Sequence, residues 1–206
     1  MSTRRPYNSS VRDERAAETR LRIREAARHL FSANGFVETT IAEIAASAGV
    51  ATQTVYAVYR TKGAIVASIL DSIEEAADID SHAAGIFGAN DAHVQLTLFV
   101  SWIRTLFEDS APVLRAAFKA LGDPHVAAFA SSGDTRRRQG CIELTTMWSK
   151  RDALREGLDP SEAAQVLWLL TGPEQYLAAV DRLGWTPDDY EQWLSSLLKQ
   201  ELLATP

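Results

Sequence analysis

Between Phe36 and Lys62 the chain reads FVETTIAEIAASAGVATQTVYAVYRTK. No other stretch constrains the fold as much, because it specifies two short helices around one tight turn. Thr40-x-x-Glu43 is a capping box, in which the hydroxyl accepts an amide bond and the carboxylate reaches back. Ile41, Ile44, Ala45 and Ala48 then share one helical face. Gly49 follows where a left-handed residue is cheap, and Val50 turns back to the core. A second helix over Thr52–Val58 points Val55 inward. Its other face offers Thr52, Gln53, Thr54, Tyr56 and Ala57: hydroxyls, an amide and a methyl, without a carboxylate. Such groups pair with base edges or contact thymine methyls when a helix lies in a major groove. A polar-faced helical hairpin would read similarly by geometry alone.

The residues Gly35-Phe36, Thr39-Thr40-Ile41, Ile44-Ala45, Ala48-Gly49-Val50, Thr54-Val55-Tyr56, Tyr59 and Lys62 together resemble the DNA-binding domain of the TetR family of transcriptional regulators. The resemblance covers about thirty residues. Ala51 stands where the family often has a capping serine, which leaves Thr52 to cap the second helix. Tyr59 stands where phenylalanine is usual and keeps its packing body. The resemblance implies a DNA surface built from Thr40, Thr52, Gln53, Thr54, Tyr56, Ala57, Tyr59 and Lys62. Gln53 and Thr52 are expected at base edges, and Thr40, Thr54, Tyr56, Tyr59 and Lys62 at phosphates.

Charge is distributed accordingly. The net charge of −6 argues against nucleic acid, but it is not uniform. Residues 1–62 hold ten Lys and Arg against six Asp and Glu, and residues 63–206 hold eleven against 21. The basic part coincides with the helix-turn-helix, and the acidic part is repelled by phosphate. Residues 1–12 have too few apolar groups for a core and read as disordered. Arg4 and Arg5 within them form a possible basic arm to a minor groove, or a solvated tail.

An all-α fold of about nine helices is expected. It comprises a DNA-binding domain over residues 1–62 and a helical effector-binding and dimerisation domain over residues 63–206. The first helix runs over 12–34 and stops at Gly35, and the fourth runs from about 62 to 80. Further helices are expected over 91–108, after Pro112, over 124–150, over 160–183 with a kink at Gly172-Pro173, and over 187–203. No strand-like alternation bounded by hairpin turns interrupts them.

Val166–Leu170 is apolar on more than one face, which calls for cover on two sides. One side suits the chain's own core and the other a second copy. The family resemblance implies the same, a four-helix bundle of the last two helices of each protomer. Trp168, Leu169, Tyr190, Trp193 and Leu197 are the expected interface. A two-fold dimer matches a palindromic operator in double-stranded DNA. The resemblance also implies a small-molecule effector among the body helices. Phe99, Trp102, Phe118, Trp148, Trp168, Glu174 and Tyr176 are the expected lining, for a hydrophobic or amphipathic molecule. Core filling is the plainer role for each aromatic. Arg136-Arg137-Arg138 reads as a solvated face, or as a contact for an anion.

No catalytic residue, cofactor or metal is expected. His29, His82, His93 and His125 lack metal-ligand spacing, Cys141 is the single cysteine, and no phosphate loop or nucleophile elbow is present. The polar N-terminus lacks a signal-peptide core, and no apolar run spans a membrane, so a cytoplasmic protein is the simplest reading. The expected function is a homodimeric, effector-responsive regulator, most simply a repressor. The alternatives are an effector-independent activator or architectural protein, and a helical small-molecule binder with a vestigial head.

Overall fold

The computed structural model describes residues 7–205. Ten helices occur among them: α1 (Tyr7–Glu38), α2 (Ile41–Ala48), α3 (Thr52–Val58), α4 (Lys62–Ala76), α5 (Ile79–Gly88), α6 (Ala92–Lys119), α7 (Pro124–Lys150), α8 (Pro160–Leu170), α9 (Pro173–Leu183) and α10 (Pro187–Leu202). No named strand accompanies them; one isolated bridge, Leu154 to Leu203, ties the α7–α8 loop to the end of α10.

Local chemistry sets most boundaries. Pro sits in the first turn of α7, α8, α9 and α10, where its missing amide costs nothing. Asp91, Asp123, Asp159 and Thr186 cap α6, α7, α8 and α10 through their side chains. α1 leaves helical geometry at Gly35, whose φ of 80° and ψ of 169° re-aim the short run Phe36–Glu38.

Several expectations are corrected. Residues 7–12, expected without structure, lie in α1; residues 1–6, with Arg4 and Arg5, lie outside the described residues. The fourth helix does not continue to residue 80. It ends at Ala76, and the chain turns through Asp78 in a left-handed conformation (φ 45°) into α5. The two helices expected around Pro112 are one helix, α6, with Pro112 inside it. Arg28 of α1 donates to the Asp109 carbonyl nearby, at 3.2 Å. The helix expected over 160–183 is two, separated at Thr171-Gly172 rather than kinked.

Two apolar cores result. The first joins Ile23, Ala27 and Phe31 of α1 to Ile44, Ala45 and Ala48 of α2, Val55 and Tyr59. It also takes in Ile65, Val66, Ile69 and Leu70 of α4, the end of α6 from Val113, and Val126 of α7. α4 is thus built into the head's core while leaning on the body. The second core is the body itself, centred on Leu96, Val100, Ile103 and Phe107 of α6. Leu144 and Trp148, Leu167, Tyr176, and Tyr190, Leu194 and Leu198 surround them.

Candidate nucleic-acid interface

α2 and α3 are fixed by the signals the sequence carries. Thr40 Oγ1 accepts from the Glu43 amide (3.2 Å), and the Glu43 carboxylate accepts from the Thr40 amide (2.7 Å), which completes the capping box. Bonds donated by the Thr40 amide and by the Thr40 hydroxyl (2.9 Å), with Lys62 nearby, hold the Glu43 carboxyl below the usual carboxylate range. Gly49 adopts φ 64°, and its amide and that of Val50 close on the Ala46 and Ala45 carbonyls (3.1 and 3.0 Å). A β-carbon at Gly49 would lie 2.7 Å from Arg22 Nη2. Arg22 of α1 is there because it donates to the Ala48 and Gly49 carbonyls, the latter at 3.0 Å. A cation from the first helix therefore seals the end of the second.

The same device recurs one turn earlier. Lys62 lies 4.3 Å above the Phe36 ring, and its ammonium donates to the carbonyls of Phe36, Thr39 (2.7 Å) and Val37 (3.3 Å). The buried Thr39 hydroxyl donates to the Gly35 carbonyl at 2.8 Å. Between them they satisfy the carbonyls exposed where α1 breaks. Burial lowers the Lys62 pKa, against the raising effect of Glu38 and Glu43.

α3 presents Thr52, Gln53, Tyr56 and Ala57 to solvent, with Thr54 half-buried and Val55 fully inside. Its cap differs from expectation: Ala51 occupies the N-cap without a side-chain bond, and Thr52 does not serve. Two of the expected phosphate ligands face inward. Tyr59 is buried and its hydroxyl lies 3.2 Å from Ser68 Oγ, so it belongs to the core. Lys62 is the staple just described. The residue that sequence reasoning missed is Arg60, exposed directly after α3. Its signal was a lone arginine between the recognition helix and the next cap.

The body places the other predicted residues as follows. Trp148 is fully buried and donates from its indole to Gln95 Oε1 at 2.8 Å. Trp102 stacks on His82 with ring centroids 6.0 Å apart, and Phe99 tilts against it at 6.3 Å. Phe118 is half-buried against the body core, and Glu174 is exposed. Tyr176 is buried between Phe107 and Tyr190 (5.8 and 5.2 Å). Tyr190, expected at a subunit interface, is buried in its own protomer; it supports Trp193 from beneath (6.1 Å) rather than facing outward. Leu169 and Trp193 are exposed, and Leu197 and Trp168 half-buried. Surface grooves of about 380 and 280 Å³ occur along α10 at Asp188–Ser196 and between Phe36 and Pro112, and none of the predicted effector residues lines either.

The arginine run is not a bare solvated face. Arg136 pairs with Glu74 of α4, Arg137 with Asp134 (2.9 Å) and the Trp168 carbonyl, and Arg138 covers the Trp168 ring at 4.6 Å. The Trp168 indole completes the cluster by donating to Asp134 at 2.7 Å. Among the described residues no group of His, Cys, Asp and Glu could hold a metal, and no helix is long and apolar enough to cross a membrane.

Comparison with known proteins agrees with the head's geometry. Residues 23–69 match the family model "Bacterial regulatory proteins, tetR family". The regulator TtgR of Pseudomonas putida is 42% identical over 65 residues, and so is ArpR from the same species. That stretch is 32% of this chain and 31% of each relative, so the chain spans under a third of the curated relatives it matches. A transcriptional regulator of Saccharomonospora viridis, solved with choline, shares the fold at TM-score 0.76 and 21% identity over 92% of this chain and all of that one. NalD of Pseudomonas aeruginosa, the secondary repressor of the MexAB-OprM multidrug efflux pump, superposes at TM-score 0.66 and 18% identity over 93% and 100%. Residues 23–69 therefore carry the head of the family "Bacterial regulatory proteins, tetR family", on a chain that shares its fold with these solved regulators over more than nine-tenths of its length.

Proposed function

We propose that the protein is a homodimeric, cytoplasmic DNA-binding regulator, a repressor released from a palindromic operator by a small-molecule effector. One observation carries the reading: α3 turns Thr52, Gln53, Tyr56 and Ala57 outward, and the exposed Arg60 stands at its end. Amide and hydroxyl groups on a short, rigidly seated helix suit base edges, and an adjacent arginine suits phosphate. Thr40, at the start of α2, and the half-buried Thr54 flank that face and add hydroxyls for the backbone.

Dimerisation is supported by the apolar surface on α8 and α10. Leu169 is 57% exposed and Trp193 39% exposed, beside the half-buried Val166 and Leu197. An effector is supported by buried polar atoms in the body that lack partners: the Trp102 indole nitrogen, Gln175 Oε1 and the Tyr190 hydroxyl. Trp102 and Tyr190 lie among aromatics, the surroundings a hydrophobic or amphipathic molecule would meet. Choline, found with a fold neighbour, is a cation of the kind aromatic faces accommodate.

The test is selection of duplexes from a random pool by the purified protein near physiological salt. A recovered palindrome is expected. Binding without sequence preference, lost steeply with salt, would overturn the reading.

A further inference from the structure

We propose that α7 is the bar through which the body positions the DNA-binding head, with its critical joint where Asp123 seats against Gly63. This rests on the DNA-binding reading above. α7 holds α4 at two places. At the far end of α4, Arg136 pairs with Glu74. At the near end, Asp123 meets the first turn of α4 at Gly63.

The near contact is unusually close. A β-carbon on Gly63 would lie 2.3 Å from Asp123 Cγ and 2.5 Å from both its Cβ and Oδ2. Gly63 is helical and buried, a position where glycine is less favourable than alanine. The absent side chain is what lets the carboxylate in. Asp123 is also the N-cap of α7, accepting from the His125 amide at 2.9 Å. Burial raises its pKa, but bonds from the Thr61 hydroxyl and the His125 and Val126 amides, with the His125 ring, bring it below the ordinary value. Thr61 is in turn the cap of α4, accepting from Ala64 at 2.9 Å. One carboxylate thus joins the starts of two helices.

Both sides of the joint lead somewhere. In the head, the neighbouring residue is Lys62, which staples the break in α1, and Arg60 lies two residues before it. In the body, α7 carries Arg137 and Arg138 against Trp168 of α8. A shift of α7 is therefore passed to the base of the helix-turn-helix without crossing a loop of its own.

The test uses the full chain and the palindrome and half-site obtained by selection. Gly63→Ala is expected to weaken palindrome binding tenfold or more while half-site binding stays within about twofold, because the heads keep their fold and lose their spacing. Asp123→Gly removes the joining carboxylate and leaves a tolerated N-cap, so it is expected to weaken palindrome binding as Gly63→Ala does, and the double variant to lose no more than either single variant. Gly63→Ala that binds the palindrome normally or that loses palindrome and half-site equally, or a double variant whose two losses add, would overturn the proposal. Wild-type protein that selects no palindrome would overturn the DNA-binding reading and this role with it, whereas failure confined to the variants would overturn the joint alone.

Discussion

At the scale of single residues, the cations of the head divide into two kinds. Arg22 and Lys62 donate inward to helix-end carbonyls, and Arg60 stands free. Their variants should therefore behave differently on DNA. Lys62→Met should cost about 1–2 kcal/mol of stability in urea melts, the scale of losing charged hydrogen bonds, and leave the salt slope of DNA binding unchanged. Arg60→Ala should leave stability alone and reduce that slope by about one. A slope reduced by Lys62→Met would return that ammonium to the phosphates. Cys141 offers a second residue-scale prediction. Burial pushes its thiol up to about 11, against the lowering influence of Arg137. At pH 8 an ordinary cysteine with a pKa near 8.5 is substantially thiolate, so Cys141 should react with Ellman's reagent at least about a hundredfold faster in denaturant than in the folded protein. Equal rates would mean that α7 and α8 separate readily around it.

At the scale of elements, the head was legible and the body only partly so. α2 and α3 were readable because capping box, periodicity and glycine turn all coincide within a few residues. The starts at Pro124, Pro160 and Pro187 were readable for the same reason. The break between α4 and α5 was not, because Ala77-Asp78 carries neither glycine nor proline, and only tertiary packing asks Asp78 to turn left-handed. Pro112 misled in the opposite sense: a helix packed along its length over 28 residues continues through a proline that would end a shorter one. The binding surface was legible where exposure follows periodicity, as at Gln53 and Tyr56. It was illegible at Tyr59, whose hydroxyl finds Ser68 one helix on. The Asp78 turn can be tested directly. Asp78→Val should cost about 1–2 kcal/mol by thermal melting, because a β-branched residue resists the left-handed region. Asp78→Gly should cost nothing measurable. Equal tolerance of both would mean that the turn adjusts its backbone.

At the scale of the whole molecule, the uneven charge and the exposed apolar strip bear on one assembly. A head of net positive charge and an acidic body favour one orientation on DNA. Two heads held together gain by effective concentration what neither has alone, on the order of 10²–10⁴ in avidity. Leu169 and Trp193 project from α8 and α10 on the side away from the protomer's own core. A glutamate at Leu169 would touch little within one protomer, so its melting behaviour should change within about 0.5 kcal/mol once dimer dissociation is allowed for. In a dimer the same glutamate would be buried against apolar surface, which a carboxylate does not tolerate without a partner. Leu169→Glu should therefore sediment as a monomer where the wild-type chain sediments as a dimer. It should bind a single half-site as wild type does and lose its advantage on the full palindrome. A variant that remains dimeric would move the interface off this strip. A monomer that still prefers the palindrome would mean that the two heads meet only on the DNA.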